Sequence, residues 1–207
     1  DTQNRVECAE FEWPLKRRND IAQVTIARSL ACARFVDGTV ECGGQSMFGD
    51  SLPKAPERYF SDVGVGETFA CGVTSDTQEL LCWGEELPKG SRKGRYTNLS
   101  VTGDDVCAVD AESKEAKCWM GTYASRPPNG AVVPESICLG TGHGCVLKSN
   151  GSPVCFCHLK LGQYEAITNP PTDTFSSLTC GAYEACGLRS DGGVVCWGDL
   201  DDKPGTW

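Results

Sequence analysis

Apolar residues alternate with polar ones at period two over short stretches of this chain, each stretch broken by tight-turn residues, and the same arrangement returns five times. It is clearest over residues 185–198, ACGLRSDGGVVCWG, where the strand formers Leu188, Val194 and Val195 flank Ser190-Asp191-Gly192-Gly193. Those turn residues admit the left-handed conformations that a two-strand hairpin needs. Cys186 and Cys196 are equidistant from Asp191. An antiparallel hairpin folded there sets their β-carbons about 4 to 5.5 Å apart, close enough for a disulfide.

Aligned on this hairpin, the chain pairs Cys32 with Cys42, Cys71 with Cys82, Cys107 with Cys118, Cys145 with Cys155, and Cys186 with Cys196. Successive first cysteines are 39, 36, 38 and 41 residues apart, a period suited to propeller blades or solenoid turns. The pairs separated by nine residues centre on Asp37-Gly38, Asn150-Gly151 and Asp191-Gly192. The two separated by ten centre on Asp76-Thr77 and Glu112-Ser113, where a longer loop relaxes the demand for glycine. Eight and six residues before each first cysteine the chain is apolar or cysteine: Val24 and Ile26, Val63 and Val65, Leu99 and Val101, Ile137 and Leu139, Leu178 and Cys180. That alternation predicts a third strand in each unit. An aromatic follows the second cysteine in four units, Trp83, Trp119, Phe156 and Trp197, with Gly43 in the first; these rings are expected to pack between repeats.

The pattern predicts an all-β fold of five repeat units forming a single domain over residues 1–207, a small disulfide-stapled β-propeller or a solenoid. The repeats fall at about 20–60, 61–96, 97–133, 134–174 and 175–207. Residues 1–19 make no full unit. Val6-Glu7-Cys8 matches Val40-Glu41-Cys42, so this segment is expected to supply a closing strand that removes an exposed sheet edge; a sixth, incomplete blade is the alternative.

The pattern resembles the regulator-of-chromosome-condensation repeat superfamily of β-propellers, nearest to the secreted, Cys-rich type found in plant crinkly-type receptor-kinase ectodomains. Cys186-Gly187-Leu188, Ser190-Asp191 and Val195-Cys196-Trp197-Gly198 carry the resemblance, with Cys71-Gly72-Val73 and Cys82-Trp83-Gly84 more loosely. It spans about residues 20–198 and departs in size, since those relatives usually have seven blades. It implies a propeller whose function lies in its loops, and that superfamily includes receptor ectodomains and a secreted β-lactamase inhibitor.

Composition adds the compartment. Fourteen cysteines in 207 residues point to an oxidising environment and a secreted or extracellular protein. The sequons at Asn98 and Asn150 agree with that. The start at Asp1 reads as a mature N-terminus, and no run reaches the length of a membrane span. Four cysteines stand outside the hairpins, Cys8, Cys138, Cys157 and Cys180, and allow three pairings. Cys138 is seven residues before its hairpin cysteine and Cys180 six, so they project from opposite faces of equivalent strands, with Cys180 inward and Cys138 not.

The net charge of −9 and pI near 4.7 argue against nucleic acid or an anionic membrane as partner. The basic run Lys16-Arg17-Arg18 reads as a solvated loop. His143, Cys145, Cys155, Cys157 and His158 offer zinc-type donors without regular ligand spacing, and the hairpin commits two of the sulfurs; no metal and no cofactor is expected. With two histidines, no nucleophile elbow, and acidic pairs (Glu85-Glu86, Asp104-Asp105, Asp201-Asp202) in loops or the tail, no enzyme is expected either. The expected function is binding of an extracellular protein or peptide, as a receptor-like ectodomain or a secreted effector or inhibitor; a carbohydrate-binding lectin is the alternative. Exposed Arg and Tyr favour interfaces. The candidate contacts are therefore the loop residues Arg92, Lys93, Arg95, Tyr96, Tyr123, Arg126 and Tyr164.

Overall fold

The computed structural model describes residues 20–28, 30–44, 54–89, 92–119, 127, 134–157 and 165–199. The period-two stretches become fifteen strands in five three-stranded antiparallel sheets, each sheet consecutive in the chain. Unit one is β1 (Ile21–Ala27), β2 (Leu30–Phe35) and β3 (Val40–Gly44); unit two is β4 (Phe60–Val65), β5 (Phe69–Thr74) and β6 (Leu80–Gly84). Unit three is β7 (Tyr96–Thr102), β8 (Asp105–Asp110) and β9 (Ala116–Trp119); unit four is β10 (Pro134–Gly140), β11 (His143–Lys148) and β12 (Pro153–Cys157). After a single helical turn, α1 (Glu165–Thr168), unit five is β13 (Ser177–Cys180), β14 (Glu184–Leu188) and β15 (Val194–Gly198).

Each predicted hairpin closes in the register its cysteines require. Cys32 lies opposite Cys42, Cys71 opposite Cys82, Cys107 opposite Cys118, Cys145 opposite Cys155 and Cys186 opposite Cys196. All five pairs are disulfides, with Cα atoms 4.0 to 4.1 Å apart. The three shorter tips turn on a left-handed glycine, Gly38, Gly151 and Gly192. The two longer tips still need one left-handed residue, carried one position later by Gln78 (φ 58°) and Lys114 (φ 59°). The extra residue therefore moves the strained position off the glycine without abolishing it.

Alternation along the third strand explains the aromatic after the second cysteine. Neighbouring residues point to opposite faces, so each unit has a cysteine face and an aromatic face. The cysteine face of one unit packs on the aromatic face of the next. Leu30 and Cys32 of unit one meet Phe60, Val63 and Trp83 of unit two; Phe69, Cys71 and Leu80 meet Tyr96, Val106 and Trp119. Cys107 and Val109 meet Ile137, Leu139 and Phe156, and Cys145 and Leu147 meet Phe175, Ala185 and Trp197. These four clusters lie between units one and two, two and three, three and four, and four and five. Three aromatic faces hold a second ring eleven residues before the first cysteine, giving the pairs Phe60–Trp83, Tyr96–Trp119 and Phe175–Trp197 with centroids 5.5, 5.1 and 5.7 Å apart.

That second ring accounts for the glycine of the Cys-Gly motif. A β-carbon at Gly72 would stand 2.5 Å from Phe60 Cδ1, and one at Gly187 2.4 Å from Phe175 Cδ1. Only a hydrogen fits beneath the ring. The backbone of the same aromatic is caught by the preceding unit: the N–H of Phe60 donates to Gly38 O (2.7 Å), that of Tyr96 to Gln78 O and that of Phe175 to Gly151 O (both 2.8 Å). Hairpin tip and following unit are thus joined at a fixed point.

Both faces of a middle unit are covered, which corrects one expectation about the surplus cysteines. Cys138 and Cys180 do leave opposite faces of equivalent strands, but Cys138 is also inward, buried in the cluster between units four and five. The two face each other there and form a sixth disulfide, Cα atoms 5.5 Å apart. Cys157 is half-buried beside the same cluster, while Cys8 and the rest of residues 1–19, the expected closing strand, lie outside the described residues.

First strands of successive units lie beside one another, so they are innermost and the third strands form the rim. A polar clasp runs along this inner wall. Gln23 Nε2 donates to Asp62 Oδ1 (2.7 Å) and to Val63 O (3.0 Å), and Asp62 Oδ2 accepts from Leu99 N (2.9 Å). One unit further on, Ser100 Oγ accepts from Leu139 N (3.0 Å). Burial pushes the Asp62 carboxyl pKa up, against the hydrogen bonds from Gln23, Leu99 and Val63 that favour its charge.

Candidate binding surface at the turn end of the blades

Each sheet has a tip end, where its second and third strands turn, and a turn end, where its first and second strands turn. At the turn end the short connections converge: Arg28, Glu67, Asp104, Thr141 and Tyr183 each sit between the first and second strands of their own unit. Four of these connections, with the adjoining ends of the inner strands, surround a cavity of about 360 Å³. Its walls combine apolar Ile26, Val65 and Val101 with polar Arg28, Glu67, Thr102, Asp104, Asp105 and Thr141. Ile26 is 61% exposed, and Tyr183, on the neighbouring turn, 39%. Hydrogen bonds between units hold the turns in place: Glu67 N donates to Gly103 O (3.0 Å) and Thr141 N to Ala182 O (3.2 Å).

The charges at this end are mixed. Arg28 Nε lies 3.1 Å from Glu67 Oε1, bridging units one and two, with the arginine largely in solvent. Such a surface pair contributes about 0 to 1 kcal/mol, so its side chains are available to a partner at little cost. Asp104 is exposed and Asp105 half-buried beside it, which leaves that rim acidic. Beneath the fourth turn His143 is 2% exposed, close against the Thr141 and Glu184 backbones. Burial holds its pKa below the usual histidine value, with those backbones and the Glu184 charge opposing the shift. Among the described residues, no three His, Cys, Asp or Glu side chains converge as a metal site.

The residues expected from sequence as contacts are placed elsewhere. Arg92 donates to Pro88 O, bracing its own loop, and Lys93 is exposed. Arg95 is exposed at the tip end, where its Nη2 donates to Gln78 Oε1 (2.7 Å). Tyr96 departs from the expectation of an exposed anchor: it is 1% exposed, stacks edge-on against Trp119, and donates its hydroxyl to Lys93 O (2.8 Å). Its spacing before Cys107 matches Phe60 before Cys71 and Phe175 before Cys186, which is why it is core. Tyr123, Arg126 and Tyr164 lie outside the described residues. Asn98 and Asn150 are both exposed. The turn-end set was missed because it carries no motif; its one sequence signal is position, three or four residues before each first cysteine, where the repeats share no residue type.

No known family profile matches the chain. It is 30% identical over 83% of its length to the serine/threonine-protein kinase-like protein CCR4 of Arabidopsis thaliana, and spans 28% of the length of that relative. Its fold is similar to the CRINKLY WD40 ectodomain of the Arabidopsis thaliana receptor kinase ACR4, with TM-score 0.72 and 20% identity, over 93% of this chain and 69% of that one. It is also similar to yeast RCC1 (Prp20), seen in complex with Kap60, with TM-score 0.64 and 12% identity, over 90% of this chain and 59% of that one. Five disulfide hairpins, interlocking aromatic faces and these likenesses identify the fold as a regulator-of-chromosome-condensation-like β-propeller that resembles the ectodomains of crinkly-type receptor kinases.

Proposed function

We propose that the chain is a non-enzymatic extracellular binding module that recognises a protein or peptide through the turn end of its blades, as part of a receptor-like ectodomain or as a secreted effector or inhibitor. The observation that carries this reading is the contrast between scaffold and surface. Five turns occupy equivalent positions at one end of the blades, four of them around one cavity, yet present Arg28, the carboxylates Glu67 and Asp104, the hydroxyl of Thr141 and the aromatic Tyr183. An asymmetric surface suits one irregular macromolecular partner. Several equivalent sugar sites would need a repeated polar and aromatic set, and the turns share none.

Two further features support the reading. Six disulfides among the described residues, one of them between units, favour a preorganised surface, which lowers the ordering cost of association. The likeness in fold to a domain described as the ectodomain of a receptor kinase supports the extracellular part of the reading. Among the described residues no helix is long and apolar enough to cross a membrane.

The test is capture from extracellular fluid and cell-surface extract, with the oxidised protein as bait and the reduced, alkylated protein as control, with and without competing free sugars. The reading predicts a protein held by the oxidised bait alone and indifferent to sugars. Capture abolished by a simple sugar, or equal on the reduced bait, contradicts it.

A further inference from the structure

Nine residues before each first cysteine stand Gln23, Asp62, Asn98, Ser136 and Ser177. Gln23 and Asp62 reach into the next unit as the inner clasp. Unit three differs. Units one, two and four shift register just before this position, between Ile21 and Gln23, Phe60 and Asp62, and Pro134 and Ser136. Unit three shifts across it, between Thr97 and Ser100, and Asn98 adopts φ 50°, a left-handed conformation that asparagine accepts more readily than most residues. The slip hands the clasp to Ser100, whose hydroxyl takes the Leu139 N–H, and leaves Asn98 exposed. Asn98-Leu99-Ser100 is a sequon.

The second sequon, Asn150-Gly151-Ser152, forms the β11–β12 tip. Asn150 is exposed, and its Oδ1 accepts from Ser152 N (3.0 Å). That turn uses the oxygen, whereas glycosylation uses Nδ2. The two asparagines both lie toward the tips. Asn150 is a tip residue, and Asn98 stands within the inner strand β7, two residues beyond Tyr96, whose N–H bonds the tip residue Gln78, and five residues before Gly103 of the turn. The turn-end cavity lies at the opposite end of the same strands.

We propose that Asn98 and Asn150 each carry an N-linked glycan, and that both glycans stand on the tip side of the blades, leaving the turn end as the surface open to a partner. The inference rests on the extracellular reading above, because the donor is a lipid-linked oligosaccharide diphosphate of the secretory pathway. In the transfer, asparagine Nδ2 bonds to the anomeric carbon, the bond from that carbon to the diphosphate oxygen breaks, the lipid diphosphate leaves, and the amide gives up one proton. Each glycan adds a bulky, hydrated group to its surface. Arg95, three residues from Asn98, then lies among the sugars rather than at an open interface.

The test uses the chain secreted by a eukaryotic cell line, with enzymatic deglycosylation in heavy-oxygen water converting each occupied asparagine to labelled aspartate. Label is expected at both Asn98 and Asn150, and N98D and N150D should each remove one glycan from the intact mass. In parallel, an arginine-selective dicarbonyl reagent should modify Arg95 several-fold faster after deglycosylation and Arg28 at an unchanged rate. Oxidised protein recovered from the medium with either asparagine unlabelled overturns the inference while leaving the binding reading in place. Equal gains at Arg28 and Arg95 overturn the assignment of the glycans to the tip side. Retention of the chain inside the cell in reduced form overturns both readings.

Discussion

Tyr96 illustrates how position in a repeat decides a residue's role. An isolated tyrosine after Arg92, Lys93 and Arg95 reads as an interface anchor; a residue in register with Phe60 and Phe175 belongs to the seam between units. Tyr96→Ala should cost about 3 to 5 kcal/mol of unfolding free energy, whereas Tyr96→Phe, which loses only the hydroxyl bond to Lys93 O, should cost about 1 kcal/mol. Denaturant titration checks both, and equal losses would contradict the packing role. Gly187→Ala should destabilise by about 1 to 3 kcal/mol, because the new methyl group displaces the Phe175 ring.

His143 sets a pH dependence with a definite sign. Burial lowers its pKa in the folded protein below the ordinary value of 6.5, so the unfolded chain binds the proton more readily. The stability linked to neutral His143 is therefore complete above pH 6.5 and declines as pH falls toward the folded-state value. Melting temperature measured from pH 7.5 down to about 5 should fall more steeply for the native protein than for His143→Gln. A parallel fall in the two would remove this histidine from the account.

At the scale of the element, the hairpin was legible because several constraints coincide. Two cysteines must lie opposite each other, a left-handed residue must sit at the tip, and an aromatic must follow on the other face. Each requires particular residue types at fixed spacing. The inner clasp was not legible, since glutamine, aspartate and serine fill related positions, and in unit three, where the register shift falls later, the role is taken by Ser100 and not by Asn98. The turn-end surface was harder still, because its defining property is difference between repeats.

The hairpin disulfides are not equally protected. In units one to four the first cysteine has no exposed surface, covered by the following unit's aromatic face. Cys186 of unit five is half-buried, and Leu188 on the same strand is 40% exposed. Access of a thiolate governs exchange. Under limiting reductant, Cys186 and Cys196 should therefore be alkylated before the other four hairpin pairs, as read by peptide mapping. Earlier loss of Cys71–Cys82, which lies between covered units, would contradict the packing order described.

At the scale of the whole molecule, the sheets form a series in which each of units one to four is held by its own disulfide, by the aromatic face of the next unit and by the inner clasp. Unit five is tied to unit four by Cys138–Cys180. The sequence period announced this architecture, since one unit cannot bury both its faces alone. It did not announce how the two ends of the blades differ. The structure separates a tip end, where hairpin tips catch the following unit and the Asn150 sequon lies, from a turn end with a cavity and a set of turn side chains that differs from unit to unit.

The most direct test of the central claim compares the two ends. With the captured partner in hand, the affinities of Arg28→Ala, Tyr183→Ala and Arg95→Ala are measured by titration, with unchanged melting curves as the control. Arg28→Ala and Tyr183→Ala should each weaken binding by about tenfold or more, the loss expected on truncating an interface anchor, and Arg95→Ala should leave it unchanged. Weakened binding in Arg95→Ala with both turn-end variants unaffected would place recognition at the tips and contradict the account.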